Sequence, residues 1–254
     1  MYRVGIIGCG FIGVEAPDSH FKAYQDCRDT EVVALCDKEE WKADRLLPDE
    51  NIELITASYW DMLRLTNPDI VSVCSSVETH CQIVCDIAPY VKAIYCEKPI
   101  ATTLEDADRM IETCHKYNVI LQVNHQRRFI KPKMRWSRGI LNNGTHAIDL
   151  VRQLCGDEWQ DKIELEYVDS MDYPPVFELD INRSDRRPIL KGVEHLVQCL
   201  KEGKQSLSSG EEARKTLHLV LVFVGQIILD QVDAKRLQTL SRGKNDRNRA
   251  NPPE

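Results

Sequence analysis

Gly8, Gly10 and Gly13 form a GxGxxG spacing directly behind the apolar run Tyr2-Arg3-Val4-Gly5-Ile6-Ile7. No other feature restricts the fold of this chain as much. The first glycine of such a turn permits a tight bend, the second lets backbone approach a pyrophosphate, and the third lets helix and strand pack closely. The spacing carries that meaning only between a strand and a helix, with an acidic residue closing the next strand. Here a helix is expected to follow the turn, and Glu31-Val32-Val33-Ala34-Leu35-Cys36 reads as a second strand ending at Asp37. Free N–H groups and the dipole at the helix start suit the phosphates of a dinucleotide. Gly8, Gly10, Phe11, Ile12 and Gly13 are the expected binding residues. Asp37 can accept hydrogen bonds from both ribose hydroxyls and would repel a 2′-phosphate. NAD is therefore expected over NADP, although Lys38 beside it works the other way.

Three further apolar runs follow: Ile70-Val71-Ser72-Val73-Cys74, Ala93-Ile94-Tyr95-Cys96 and Val119-Ile120-Leu121-Gln122-Val123. Near-continuous runs of this kind fit parallel strands covered on both faces. Between the last two, Thr102 and Thr103 with Glu105 and Asp106 give overlapping capping boxes. Leu104, Ala107, Met110, Ile111 and Cys114 then recur at helical spacing, and Asn118 is a fitting stop. The pattern predicts an α/β fold over residues 1–123, a doubly wound parallel sheet.

After Val123 the pattern changes. Residues 124–129 (Asn-His-Gln-Arg-Arg-Phe) are polar and aromatic. Two strand-like runs, 163–168 and 176–181, flank the turn-prone Tyr173-Pro174-Pro175. As a two-strand ribbon they would be marginal on their own. Ile189, Leu190, Val193, Leu196, Val197 and Leu200 mark a helix that ends near Gly203, and Ser208 or Ser209 with Glu211 or Glu212 caps another. A second α+β unit is expected over 124–240, with a disordered tail from 241 that is rich in Arg, Asn and Pro.

Composition excludes some partners. A net charge of -7 offers no electrostatic attraction to nucleic acid or to an anionic membrane. The longest apolar run, 217–229, is too short and too interrupted for a membrane span. The N-terminus enters its first strand without a basic lead, so a cytoplasmic location is expected. The ten cysteines form no CxxC pair and read as small buried apolar residues. Cys81 and Cys85 lie four apart, but nothing completes a metal site around them, and no metal is expected.

Glu97-Lys98-Pro99 falls at the C-terminal edge of the fourth strand, where parallel sheets bind ligands. Ser75 and His80 follow the third strand at the same edge. Ser75, His80, Glu97 and Lys98 join the expected cofactor contacts, although a residue placed like His80 more often caps or packs. His20, Tyr24 and His125 are secondary candidates. Arg127 and Arg128 either bind substrate oxygens or a phosphate, or form ion pairs.

The GIIGCGFIG start, Glu97-Lys98-Pro99, the 124–129 segment and Gly144-Thr145-His146-Ala147-Ile148-Asp149-Leu150 occur here in that order. Together with Ser209-Gly210-Glu211-Glu212-Ala213 they make residues 1–225 resemble the glucose–fructose oxidoreductase and inositol dehydrogenase family. The resemblance implies a Rossmann domain followed by an α+β domain with an open, mostly antiparallel sheet that often pairs subunits into a homo-oligomer. It implies hydride transfer between a nicotinamide and a carbon of a sugar, nucleotide sugar or cyclitol. Lys98 matches the lysine that contacts the reacting hydroxyl, and His146 matches the acid–base histidine. Asp149 matches the acidic residue of that motif; otherwise it orients a neighbour or pairs with Arg152. Such a pair makes chemical sense, since an imidazole can take the proton of an alcohol while an ammonium stabilises the developing alkoxide. Asn142 stands where many members carry an aspartate, and an amide cannot ionise. The chain is also short for the family, with nine residues between Phe129 and Gly139 where a helix and a strand are expected. A non-catalytic dinucleotide-binding regulator or scaffold is the competing reading.

Overall fold

The computed structural model describes residues 1–44, 52–129, 132–137, 163–168, 177–180 and 187–222. Asn142, His146, Asp149 and the tail from 241 lie outside them.

Six parallel strands make the first sheet: β1 (Tyr2–Ile7), β2 (Thr30–Cys36), β3 (Leu54–Thr56), β4 (Ile70–Val73), β5 (Ala93–Cys96) and β6 (Ile120–Val123). Their order is β3-β2-β1-β4-β5-β6. The direction of winding reverses between β1 and β4, which opens a crevice at the C-terminal strand ends. All four residues of β4 and of β5 are buried, as expected for central strands covered on both faces.

Each face of the sheet carries its own apolar layer. Ile7, Val71, Val73, Ile94 and Cys96 point to one side. There they meet Val84 and Ile87 of α4 (Val77–Ile87) and Met110 and Ile111 of α5 (Leu104–Lys116). Val4, Ile6, Leu35, Ile70 and Tyr95 point to the other, against Phe21 and Tyr24 of α1 (His20–Asp26). The alternation of Val4 and Ile6 with Ile7 is the two-residue period of a strand. Short helices α2 (Trp41–Asp44) and α3 (Tyr59–Thr66) fill the connections around β3. Of nine described cysteines, all free thiols, seven are buried.

Helix α5 forms as its sequence dictates. The Thr103 hydroxyl accepts the Asp106 N–H at 3.1 Å, Glu105 and Asp106 occupy the first turn, and His115 and Lys116 the last. Each charge complements the helix dipole. Asn118 lies just beyond the end at φ 55°, in the left-handed region. Thr103→Ala is expected to cost about 1 kcal/mol in chemical unfolding, because an orphan N–H loses its partner.

The helix expected behind the glycine turn is interrupted. Phe11–Glu15 makes a single π-helical turn, closed by the Ala16 N–H on the Phe11 carbonyl at 2.8 Å. Pro17 then holds Ala16 extended, at ψ 148°. Ser19 starts α1 afresh by accepting the Lys22 N–H. That restart determines where His20 points.

The second half of the chain returns to the first sheet. Ile189, Val193, Leu196 and Val197 of α6 (Pro188–Glu202) join the α1 layer. Ala213 and Leu217 of a further helix, α7, described over 210–222, join the α4–α5 layer. Between them Ser209 bridges Gln122 antiparallel, and the Val123 N–H donates to the Ser208 carbonyl at 2.8 Å. The open edge of β6 is thereby covered.

A second sheet holds β7 (Lys133–Trp136), β8 (Glu164–Tyr167) and β9 (Phe177–Asp180). The two anticipated runs do not pair with each other. Both flank β7, which lies in the stretch read as lacking a strand, in the order β8-β7-β9. β8 runs parallel and β9 antiparallel to it. Lys133-Met134-Arg135-Trp136 alternates polar and apolar residues, a pattern too brief to register without its partners.

Candidate functional site

The glycine turn shows why each of its glycines is there. Gly8 adopts φ +95°, and a Cβ on it would stand 2.6 Å from the Cys74 carbonyl. A Cβ on Gly13 would stand 2.1 Å from the Gly8 carbonyl oxygen. Both are demanded by the protein's own backbone. Gly10 is different, since a Cβ there would meet nothing within 4 Å. It borders a cleft of about 580 Å³, shared with Asp37, Lys38, Lys42, Ser75 and Thr79. An open cradle of bare backbone is what a pyrophosphate needs, so these residues fit a dinucleotide. Phe11 is exposed, whereas Ile12 packs toward the α1 layer.

Asp37 ties the turn to β2. Its carboxylate accepts the Cys9 N–H at 2.8 Å and the Glu39 N–H at 3.0 Å. A carboxylate has about four acceptor positions, so room remains for ribose hydroxyls. Lys42 pairs with Glu39 and stands 3.9 Å from Asp37. Across the crevice the Ser75 hydroxyl bonds Thr79 at 2.7 Å. His80 is fully enclosed and ties two loops, with Nε2 at 3.0 Å from the Ser75 carbonyl and Nδ1 at 3.1 Å from that of Pro99. Its ring stands behind the cleft wall.

Glu97 and Lys98 diverge. Glu97 is buried, and its Oε1 accepts His20 Nε2–H at 3.0 Å and Asn124 Nδ2–H at 2.5 Å. Oε2 accepts the Lys98 backbone N–H at 3.1 Å. Burial pushes the Glu97 carboxyl up, but these bonds outweigh it and hold it below the usual carboxylate range. Its contribution to stability is therefore present at neutral pH and lost as pH falls through the depressed value.

Lys98 instead reaches solvent in a second cleft of about 330 Å³, shared with His125, Arg127 and Arg128. The register explains the meeting. Cys96 pairs with Val123, so Lys98 and His125 each stand two residues past adjacent strand ends. Burial, then Arg128 and Lys98, hold the His125 imidazole below its ordinary pKa despite Glu97, and its Nε2 has no hydrogen-bond partner. Arg128 donates to the Leu207 carbonyl and pairs with Glu212 at 3.4 Å, which favours ion pairing for that residue. Among the described residues no three His, Cys, Asp or Glu side chains cluster to hold a metal, and no helix is long and apolar enough to cross a membrane.

Sequence reasoning named His20 and Tyr24 only as secondary candidates and missed Ser72. The signal for Ser72 was a hydroxyl inside the apolar strand Ile70-Val71-Ser72-Val73. Such a residue needs a buried partner.

Comparison with known proteins agrees with this geometry. Residues 2–125 match the model of an oxidoreductase family with an NAD-binding Rossmann fold. The chain is 32% identical over 143 residues to a myo-inositol 2-dehydrogenase from Thermotoga maritima, covering 56% of this chain and 41% of that one. It is 34% identical over 131 residues to a D-glucoside 3-dehydrogenase from Escherichia coli, covering 50% and 35%. The matched part thus spans about two fifths or less of these relatives' length. Similar solved folds include an oxidoreductase from Agrobacterium radiobacter in complex with NAD+, L-tartaric acid and magnesium. Its TM-score is 0.61 at 17% identity, covering 86% of this chain and 94% of that one. Aldose-aldose oxidoreductase from Caulobacter crescentus gives 0.61 at 16% identity, covering 87% and 96%. The N-terminal half of this chain belongs to the glucose–fructose oxidoreductase, inositol dehydrogenase and MocA family of oxidoreductases.

Proposed function

We propose that this protein is an NAD-dependent oxidoreductase acting on a hydroxyl or carbonyl carbon of a sugar, nucleotide sugar or cyclitol. One observation carries the reading. The open Gly10 cradle with Asp37 and the solvent-facing Lys98 lie at the C-terminal edge of one sheet, each in its own cleft. The relatives named for inositol and glucoside oxidation supply the substrate class.

A bound nicotinamide dinucleotide supplies the hydride acceptor or donor. The turn that Gly8 and Gly13 allow would hold its phosphates against Gly10, and Asp37 would hold its ribose. The Lys98 ammonium grips the substrate oxygen and stabilises negative charge developing there. His146 exchanges the hydroxyl proton as acid–base, with Asn142 and Asp149 orienting it. The unit that begins at residue 124, expected to run to 240, carries the substrate although its helices α6 and α7 pack back on the first sheet, and its own sheet pairs subunits in a homo-oligomer. Free thiols throughout the described residues suit a reducing, cytoplasmic setting. The net charge of -7 supports small-molecule rather than nucleic-acid or membrane partners.

The test is incubation with NAD or NADP and a panel of sugars, nucleotide sugars and cyclitols, read by absorbance of the reduced nicotinamide. Turnover of at least one compound is expected. Tight NAD binding with no turnover of any would overturn the enzyme reading in favour of a dinucleotide-binding regulator. NAD should bind at least about tenfold more tightly than NADP, a difference of about 1.4 kcal/mol. Asp37→Asn keeps an acceptor for the Cys9 N–H but removes the charge, and should narrow that gap in parallel titrations.

A further inference from the structure

Behind Lys98 runs a buried chain of polar side chains that the reaction scheme does not use. The Tyr24 hydroxyl bonds Ser72 Oγ at 2.9 Å, and Ser72 Oγ bonds His20 Nδ1 at 2.9 Å. His20 Nε2 bonds Glu97 at 3.0 Å. From the other side the Tyr95 hydroxyl donates to Asn124 Oδ1 at 2.8 Å, and the Asn124 amide donates to the same Glu97 oxygen. All six are buried, and His20, Ser72 and both tyrosines have no exposed surface.

The two arms have one direction. With an Nε2–H on His20, which a carboxylate partner requires, and the Ser72 hydroxyl donating to Nδ1, every hydroxyl, amide and ring donor points toward the Glu97 carboxylate. Among the described residues, the one remaining partner of this carboxylate is the Lys98 N–H, held by its second oxygen. Six polar groups are a costly filling for this space, since apolar side chains of the same volume would hold the fold at least as well. The arms are also closed. Burial raises both phenols well above their ordinary range, so neither end releases a proton, and the chain is a frame rather than a relay.

We propose that His20 is a positioning residue: by donating to Glu97 it fixes the carboxylate that holds the Lys98 backbone, and so sets where the Lys98 ammonium stands in the substrate cleft. The inference rests on the redox reading given above, because it concerns the same lysine. Groups facing Glu97 are His20 from α1, Cys74 beyond β4, Tyr95 and Cys96 of β5, and Asn124 and His125 beyond β6. Among the described residues, only His20, Asn124 and the Lys98 N–H donate to its oxygens.

The test compares His20→Leu, which removes both ring partners, with His20→Gln, which can still offer an amide N–H to Glu97 and a carbonyl to Ser72. In His20→Leu, kcat should fall by about 100-fold, the loss expected from displacing a reacting group by an ångström. The dissociation constant for NAD should stay within about threefold on the same ground, because the lysine and not the phosphate cradle has moved. The acid limb of the kcat–pH profile should move to higher pH, since Glu97 protonates more readily. His20→Gln should restore most of both. Carboxylate NMR of selectively labelled Glu97, in the absence of cofactor, should show the same upward move in the leucine variant and its reversal in the glutamine one.

A leucine variant with lowered stability but unchanged kcat and pH profile per folded molecule would reduce His20 to a packing role and overturn the proposal. So would a folded glutamine variant that restores neither readout. If the leucine chain does not fold, Ser72→Ala decides in its place; it strips one donor from the imidazole and should give a smaller shift of the same sign. Wild-type protein that binds NAD but turns over no substrate sinks the redox reading instead. The Glu97 titration then still judges the His20 coupling, and a midpoint unmoved in the variants overturns it.

Discussion

Lys98→Met is expected to bind NAD with wild-type affinity and to lose about 10²- to 10³-fold in kcat, the scale of removing one preorganised donor from a developing oxyanion. The expectation comes from where the chain puts the two halves of this residue. Its backbone is pinned to a buried carboxylate, while its side chain is exposed in the cleft that holds His125 and Arg127. No hydrogen bond or ion pair engages the ammonium among the described residues. Methionine keeps the length and apolar stem, so the turn and Glu97 should be undisturbed. Single-turnover kinetics at saturating substrate, set beside a fluorescence titration of cofactor, would show the split. Full activity in the variant would remove Lys98 from the reaction.

The second large effect separates two glycines of one motif. Gly13→Ala is expected to destabilise the protein by about 3 kcal/mol or more, because the new methyl meets the Gly8 carbonyl and backbone cannot step aside. Gly10→Ala is expected to be neutral or to stabilise by about 0.5 kcal/mol, since φ -78° and ψ -166° suit alanine and the space is empty. The same Gly10 variant should lose about tenfold or more in NAD affinity, about 1.4 kcal/mol, because its methyl occupies the place of the approaching phosphate. Urea unfolding and cofactor titration of both variants measure the contrast. A Gly10 variant that binds NAD as the wild type does would mean the cradle is not where the pyrophosphate lies.

Much of the first sheet was legible from residues close together in the chain. The runs 70–74 and 93–96 read as buried parallel strands, and Ile70–Val73 and Ala93–Cys96 are such, with the half-buried Cys74 just past its strand end. Thr103, the apolar stripe of α5 and the stop at Asn118 each act through neighbours within a turn or two, and all three appear where the pattern put them. The glycine turn was legible for the same reason. The break at Pro17 was written there too, but the strength of the motif obscured it.

The site was only partly legible. Glu97 and Lys98 read as one element, yet folding turns one side chain inward and the other out. Which way each faces depends on His20, 77 positions away in the chain, and on the register that sets Asn124 beside it. The strand 133–136 was invisible because four residues carry too little period to outweigh chance, and it becomes a strand only between β8 and β9. The destination of α6 and α7 was equally hidden. Their stripes announce helices with one buried face but not the surface that buries it.

Sequence alone determined that a dinucleotide cradle sits between a first and a second parallel strand, and that a lysine stands at the ligand edge of the same sheet. Turn conformations, caps and periodicities are settled by steric and hydrogen-bonding choices within a few residues. The tertiary structure alone decided that Glu97 is held by His20 and Asn124, and that late helices close the layers of an early sheet. These are choices among distant partners, made by whichever arrangement buries the most apolar surface while leaving few polar groups unpaired.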